Sequence, residues 1–370
     1  MIANTHYGYV GKSKAPKFTY TGNYKVRDDG VVELLTSGTI VFLEPKVIDL
    51  FMVGGGGAGS TFSTSDRTGL AGGGGGYTRT LRRINITSNE SVTVTVGAGA
   101  VFNISQQRAP EGGTTAFGSY TVKGGSSSGW LNGDGKTGGS GGGGGTTSSG
   151  DGGAGGYNGG NGERGGNNGF KGGAGQGFTT REFGESSGKL YAGGGGGGRY
   201  MESSSPVVSM GGNGGGGSGG WVGSSASAKQ EPTAGVANTG GGGGGGAVSY
   251  SIATGAGSGG SGIVCFREAV ELPVLAGTWV LNERLYAPEN SFNENVNFTA
   301  INTDGKTIMY KRIYISSGIL YCQRTTGSAD KWYTFSNNTW ALTFKTIKFD
   351  EGATASDIFR AWLASNSTKQ

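Results

Sequence analysis

The sequence predicts a mostly β and irregular fold: a bundle of polyglycine-II helices flanked by β-strands, then a small antiparallel β C-terminal domain with a short terminal helix. Three observations predict it. Of the chain's 83 glycines, 73 lie between Gly54 and Gly262, and glycine has no side chain to bury, so no ordinary hydrophobic core can form from that block. Apolar, β-branched segments run directly into and out of the block, where a flexible linker needs none. Within it, glycine recurs at every third position, at Gly150, Gly153, Gly156, Gly159, Gly162 and Gly165, and again at Gly169, Gly172 and Gly175.

Taken in order, residues 1–29 read as a basic N-terminal arm, with Lys12, Lys14, Lys17, Lys25 and Arg27 ahead of any acidic residue; such a run is a solvated segment or a docking element for an acidic partner. Gly30-Val31-Val32-Glu33-Leu34-Leu35, a Thr36-Ser37-Gly38 turn and Thr39-Ile40-Val41-Phe42-Leu43 read as a hairpin leading into the glycine block. Val47-Ile48-Asp49-Leu50-Phe51-Met52-Val53 is a strand entering the first glycine run. Ser261-Gly262-Ile263-Val264-Cys265-Phe266 leaves the last one.

Between these borders stand six uninterrupted glycine runs, at 54–57, 72–76, 141–145, 193–198, 214–217 and 240–246. Ser91-Val92-Thr93-Val94-Thr95-Val96 alternates with period 2, as a half-buried strand does. Aromatic residues recur between the runs, which disordered segments lack. A period of three matches a helix of the polyproline-II type, with three residues per turn and no internal hydrogen bonds. Collagen shares that period, but no proline falls between Pro110 and Pro206 and the frame slips at Asn168. A bundle of polyglycine-II helices remains, in which each unpaired N–H and C=O bonds a neighbouring helix. Each ordered glycine costs about 0.5–1 kcal/mol more than alanine, so such a bundle has to be dense and nearly fully hydrogen-bonded.

The domain plan is therefore an arm over 1–29, a β-framed glycine-rich domain over 30–268 and a small β-rich domain over 269–370. In the last, strands are expected at 296–301, 308–315, 319–324, 332–335 and 342–349, with Asp304-Gly305 and Ser317-Gly318 as turns. Ser356 caps a final helix whose apolar face is Ile358, Phe359, Trp362 and Leu363.

Composition narrows the chemistry. The formal net charge is +5, and Cys265 and Cys322 are the only cysteines, too few for the disulfide framework of a small secreted scaffold. No signal-peptide core or apolar run of membrane-spanning length is present, so a soluble protein made in a cytosol is expected. His6 is the only histidine, which leaves no Ser-His-Asp or Cys-His pair and no clustered histidine metal site. Gly135-Lys136-Thr137 and Gly305-Lys306-Thr307 end like a phosphate-binding loop, but Trp130 and Ala300 stand where the earlier glycine belongs. Glu182 and Glu185 are a carboxylate pair of the type a glycosidase uses in a cleft. Arg164-Gly165-Gly166 is a solitary arginine-glycine repeat, too little for RNA binding. No cofactor and no metal ligand set is expected.

What remains is recognition by loops on a rigid scaffold. The candidate loops are 60–70 with Phe62 and Arg67, 126–132 with Trp130, 178–192 with Arg181, Phe183 and Tyr191, 199–210 with Arg199 and Tyr200, and 221–239 with Trp221. Tyr, Trp and Arg are favoured at hot spots. A second role is open to the same aromatics, plugging the ends of the bundle.

Leu50-Phe51-Met52-Val53-Gly54-Gly55-Gly56-Gly57-Ala58-Gly59, the run 72–76 followed by Tyr77-Thr78-Arg79, Val96-Gly97-Ala98-Gly99, Gly112-Gly113-Thr114-Thr115-Ala116-Phe117-Gly118 and Gly259-Gly260-Ser261-Gly262-Ile263-Val264 resemble, over roughly residues 30–268, the glycine-rich domain of bacteriophage tail and tail-fibre proteins. In architecture the block is similar to the receptor-binding adhesin that caps the long tail fibres of some T-even-like phages, and to the glycine-rich extracellular region of the anaplastic lymphoma kinase group. The chain departs from the receptor in having no evident signal peptide, membrane helix or kinase domain, and from the cap adhesin in its C-terminal segment of about a hundred residues. Gly277-Thr278-Trp279-Val280-Leu281-Asn282-Glu283 and the ending Ala355-Ser356-Asp357-Ile358-Phe359-Arg360-Ala361-Trp362-Leu363 also look like modules appended to phage tail proteins.

The resemblance implies a virion tail-fibre or receptor-binding protein, synthesised in the bacterial cytoplasm. It would recognise a bacterial cell-surface glycan or outer surface protein through Phe62, Arg67, Trp130, Arg181, Phe183, Tyr191, Arg199, Tyr200 and Trp221, without catalysis. Other virion tail or fibre proteins are its expected partners; nucleic acid and membrane insertion are not expected. The alternatives are a purely structural virion appendage or connector and, as a third class, an enzyme degrading surface glycan.

Overall fold

A computed structural model describes residues 17–61, 68–103, 109–128, 134–145, 160–163, 180–185, 187–200, 209–223, 228–249, 252–269, 274–282, 284–286, 292–302, 305–316, 319–327, 329–334, 339–341 and 344–370. The chain divides into two compact units, one of Gly11–Ala269 and one that contains Val270–Gln370. Among the described residues the fold is mostly β-strand, with a single α-helix.

Strands of the first unit are β1 (Phe18–Tyr20), β2 (Tyr24–Val26), β3 (Val32–Leu34), β4 (Gly38–Phe42), β5 (Lys46–Val53), β6 (Thr68–Gly69), β7 (Thr78–Ile86) and β8 (Ser91–Thr95). They continue as β9 (Thr115–Phe117), β10 (Tyr120–Val122), β11 (Arg199–Tyr200), β12 (Trp221–Val222), β13 (Lys229–Gln230), β14 (Ala247–Ser249), β15 (Ile252–Ala253) and β16 (Ile263–Glu268). Two five-stranded sheets, ordered β1-β4-β8-β9-β10 and β2-β3-β16-β5-β7, carry the conventional core of this unit. Val32, Leu34, Ile40, Phe42, Ile48, Leu50, Met52, Val92, Val94, Phe117, Val264 and Phe266 form it.

This pairing corrects two sequence expectations. The segments on either side of Thr36-Ser37 do not form a hairpin, because β3 pairs with β2 and β16 while β4 pairs with β1 and β8. The chain steps from one sheet to the other there, so that Leu34 and Ile40 both reach the shared core. Nor is the whole of 1–29 an arm. Residues 18–20 and 24–26 are strands of the two sheets, and Phe18 packs edge-on against Phe266, 5.5 Å between ring centroids. The rest of that segment, up to residue 16, lies outside the described residues.

The glycine runs carry neither helix nor strand, yet their backbone groups are paired with a period of three. Gly54, Gly57 and Ser60 donate to the carbonyls of Tyr77, Gly74 and Ala71. Gly56 and Gly59 turn instead to Gly260 and Gly257, and Gly55 to Gly113. Residues 72–77 repeat the scheme: Gly72 and Gly75 donate to Gly143 and Ser140, Gly73 and Gly76 to Gly243 and Gly240, Gly74 and Tyr77 to Ser126 and Lys123. Neighbours run in both directions, since Gly193, Gly196 and Arg199 donate in parallel register to Gly214, Gly217 and Gly220. These bonds satisfy the backbone groups that a core of side chains would otherwise have to desolvate.

The second unit contains β17 (Gly277–Leu281), β18 (Arg284–Tyr286), β19 (Asn293–Glu294), β20 (Phe298–Asn302), β21 (Thr307–Ser316), β22 (Ile319–Arg324), β23 (Ala329–Thr334), β24 (Thr339–Ala341), β25 (Phe344–Phe349), α1 (Asp357–Asn366) and β26 (Ser367–Lys369). An antiparallel sheet ordered β23-β22-β21-β20-β25-β17-β26, with β19 added to β21, packs one face on α1. Ser356 caps the helix by accepting from the Phe359 N–H. Phe359, Trp362 and Leu363 are buried as the apolar face requires, whereas Ile358 is 43 % exposed, off the stripe that meets the sheet.

Candidate functional site

Two places gather the residues that sequence reasoning singled out, and they lie at opposite ends of the glycine runs. The first is the outer face of sheet β2-β3-β16-β5-β7. Strand alternation sends Ile48, Leu50 and Met52 into the core, so Asp49, Phe51 and Val53 face outward, as do Glu33 on β3 and Ile263, Cys265 and Arg267 on β16. Phe51, Val53, Ile263 and Cys265 are nonetheless buried, because residues 180–192 fold over them and insert Phe183 and Tyr191. The Phe51 ring centroid is 6.2 Å from that of Phe183 and 5.3 Å from that of Tyr191. Phe183 adopts φ 51 inside a short 3-10 turn, Glu182–Gly184, a left-handed conformation sustained by its full burial.

Charges close around this apolar plug. Arg27 grips Glu182 with two bonds of 2.9 and 2.7 Å, and also reaches Asp29 and Glu33. Arg267 holds Glu185 by a similar fork and contacts Asp49, which Arg82 bonds at 2.7 Å. Arg82 donates in addition to the Phe183 carbonyl. Burial opposes the charge on Arg27, yet its hydrogen bonds to Asp29 and Glu182 hold its pKa above the ordinary value, and the Arg27 bond holds Asp29 below its own. Beneath them, burial pushes the Tyr191 hydroxyl and the Cys265 thiol upward, so both stay protonated; the hydroxyl bonds Glu182 at 3.1 Å.

A cleft of about 430 Å³ remains, lined by Arg27, Asp29, Glu182, Glu185, Lys189 and Arg267 among others. Its carboxylates are occupied: Arg27 forks onto Glu182 and Arg267 onto Glu185. The arrangement fits a clamp that fixes the 180–192 segment. Asp49 was the missed signal, an acidic residue in an otherwise apolar strand, which called for a buried cationic partner.

The second place is the far end of the runs. Residues 54–60 leave β5 and reach β6; 193–198 lead from Tyr191 to β11; 214–220 lead to β12; 240–246 lead to β14, and 254–262 return from β15 to β16. There β11 pairs β12 in parallel, aligning Arg199 with Trp221, and β12 pairs β13. Beside them β14 pairs both β15 and β6. Consequently the short strands β6, β11, β12, β13, β14 and β15 all stand at one end of the glycine runs.

The predicted recognition residues are thus divided. Arg199 and Tyr200 are half-buried at the far end. Trp221 joins them but is only 7 % exposed, with its indole N–H donating to Gln230 at 3.1 Å. Arg181, Phe183 and Tyr191 sit at the opposite end. Phe183 and Tyr191, 1 % and 0 % exposed, are corrected from recognition residues to plugs, because their rings complete the core over β5 and β16. Arg181 pairs with Leu190 and donates to the Gly188 carbonyl within the same segment. Phe62, Arg67 and Trp130 lie outside the described residues.

No group of His, Cys, Asp and Glu with metal-holding geometry occurs among the described residues, and no helix among them is long and apolar enough to cross a membrane. Cys265 and Cys322 are buried and are not joined in a disulfide. The family described as "Glycine-rich domain" matches residues 36–269. No curated protein matches the chain.

Proposed function

The chain belongs to the glycine-rich domain family, and from that premise we propose that it is a phage virion tail-fibre or receptor-binding protein whose glycine runs are polyglycine-II helices. Support for the helices comes from the three-residue period of the backbone bonds, which a helix with three residues per turn requires. The mixture of parallel and antiparallel neighbours adds to it, since a helix of this type offers bonding groups on all sides. Close approach is the third support: a Cβ built on Gly195 would lie 2.0 Å from the Gly243 carbonyl oxygen.

The observation that carries the functional reading is the gathering of strands from separate glycine runs at the far end, where Arg199, Tyr200 and Lys229 stand on the strands that flank β12. Densely bonded runs that bring several strand ends to one surface suit recognition. The ligand in this reading is a bacterial cell-surface glycan or outer surface protein, the other partners are virion tail or fibre proteins, and no cofactor, catalysis, nucleic acid or membrane insertion is involved. The chain would be made in the bacterial cytoplasm and function in the virion.

Adsorption of the labelled chain to a panel of bacterial strains tests this. Selective binding that falls at least tenfold in an Arg199→Ala, Tyr200→Ala, Lys229→Ala variant, with Arg181→Ala unchanged, is the expected result. Absence of binding to every strain by the folded protein would favour a structural appendage or connector instead. Release of fragments from host polysaccharide would mark an enzyme.

A further inference from the structure

Among the described residues, one side of the second unit's sheet is covered by helix α1. Helix α1 and its Phe359, Trp362 and Leu363 pack against Phe298, Ile313, Leu320 and Phe349. The other side carries an aromatic and basic row set by strand register. Tyr314 on β21 stands opposite Tyr321 on β22, and Asn293 on β19 stands opposite Tyr314. The two tyrosine rings are nearly parallel, 13° apart with centroids at 5.3 Å. The Arg312 guanidinium lies 4.4 Å from the Tyr314 centroid and donates through Nε to Asn293 Oδ1 at 2.8 Å.

All four side chains meet above the same surface. Gln323 lies opposite Arg312, and exposed Lys348 on β25 adds a second cation to that side. Among the described residues of these strands no acidic side chain shares the face: Glu294, next to Asn293, points to the helix side, where it accepts from the Ser356 N–H at 3.0 Å. Aromatic rings offer an apolar surface for the C–H face of a sugar, amides offer paired donors and acceptors for hydroxyls, and guanidinium suits a carboxylate or phosphate.

We propose that this face binds an acidic carbohydrate, with Tyr314 and Tyr321 stacking against a sugar ring, Asn293 and Gln323 bonding its hydroxyls, and Arg312 pairing with its anionic group. The surface belongs to residues 270–370, so it stands or falls apart from recognition by the far end of the glycine-rich unit. It gives the second unit a ligand of its own, of the chemistry found in uronate- or phosphate-bearing polysaccharides.

The test is a titration of the full chain, followed by tyrosine fluorescence and calorimetry, with polygalacturonate, a teichoic acid, neutral dextran and polyglutamate. Binding to one or both acidic saccharides is expected, weakened at least tenfold by Tyr314→Ala or Tyr321→Ala and retained in the corresponding Phe variants, which keep the ring. Arg312→Gln should remove the preference for acidic over neutral saccharide. Unchanged melting of the variants shows that a loss is local. The proposal is overturned if no saccharide binds, if dextran binds as well as the acidic polymers, if polyglutamate binds equally, or if the tyrosine-to-alanine variants bind normally.

Discussion

A methyl group at Gly195 or Gly243 would stand 2.0 Å from a carbonyl oxygen of the adjoining run, that of Gly243 or Gly257. Backbone on both sides leaves no side chain to swing away, so Gly195→Val or Gly243→Val should cost at least about 4 kcal/mol and abolish cooperative folding of this unit. Gly255→Ala is the matched control. Its added Cβ meets only Glu231 Oε2, at 3.5 Å, and a change within about 1 kcal/mol is expected. Thermal melting of the three variants decides the matter, and equal loss in all of them would contradict a tightly packed bundle. Tyr20 supplies a titration. Burial raises its pKa from 10.0 to about 12 while its hydroxyl bonds the Thr36 carbonyl. A group raised on folding stabilises fully below its unfolded pKa, so this contribution is present below pH 10 and is lost as pH rises towards 12. Melting temperature should decline across that window, and less steeply in Tyr20→Phe.

At the scale of elements, the 180–192 segment behaves as a clamp more than as a free loop. Glu182 is 5 % exposed at the side chain and faces Arg27, which is 22 % exposed. Glu182→Gln should therefore destabilise by about 2 kcal/mol, less than for a fully buried pair because Arg27 keeps Asp29 and Glu33. Denaturant unfolding of the variant would show it, and an unaltered midpoint would mean that the segment is held by Phe183 and Tyr191 alone. The glycine runs make a second prediction. Amides of Gly57, Gly73 and Gly243 donate to backbone carbonyls at 2.8–2.9 Å and sit in buried residues, so their hydrogen exchange should be as slow as that of β5 and β16. Fast exchange there would be the behaviour of a linker.

For the whole molecule, each unit has its own core: Trp279, Phe298, Tyr310, Phe349 and Phe359 belong to one, and Leu34, Phe42, Leu50, Phe117 and Phe266 to another. Calorimetry should give two transitions, of which Gly195→Val removes one and spares the other. The sequence by itself determined that the chain is mostly β, because alternation in segments such as Ser91–Thr95 and the apolar run Lys46–Val53 leaves little choice of backbone. It also located the glycine-rich block and the Ser356 cap, which depend on residue types next to each other in the chain. Only the tertiary structure decided that Leu34 and Ile40 enter a core from different sheets, that Asp49 meets Arg82 and Arg267, that Phe183 and Tyr191 are interior, and that Arg199 and Trp221 come together. Those facts depend on which distant backbone lies alongside, and glycine runs of identical composition carry no side-chain label by which one neighbour can be told from another.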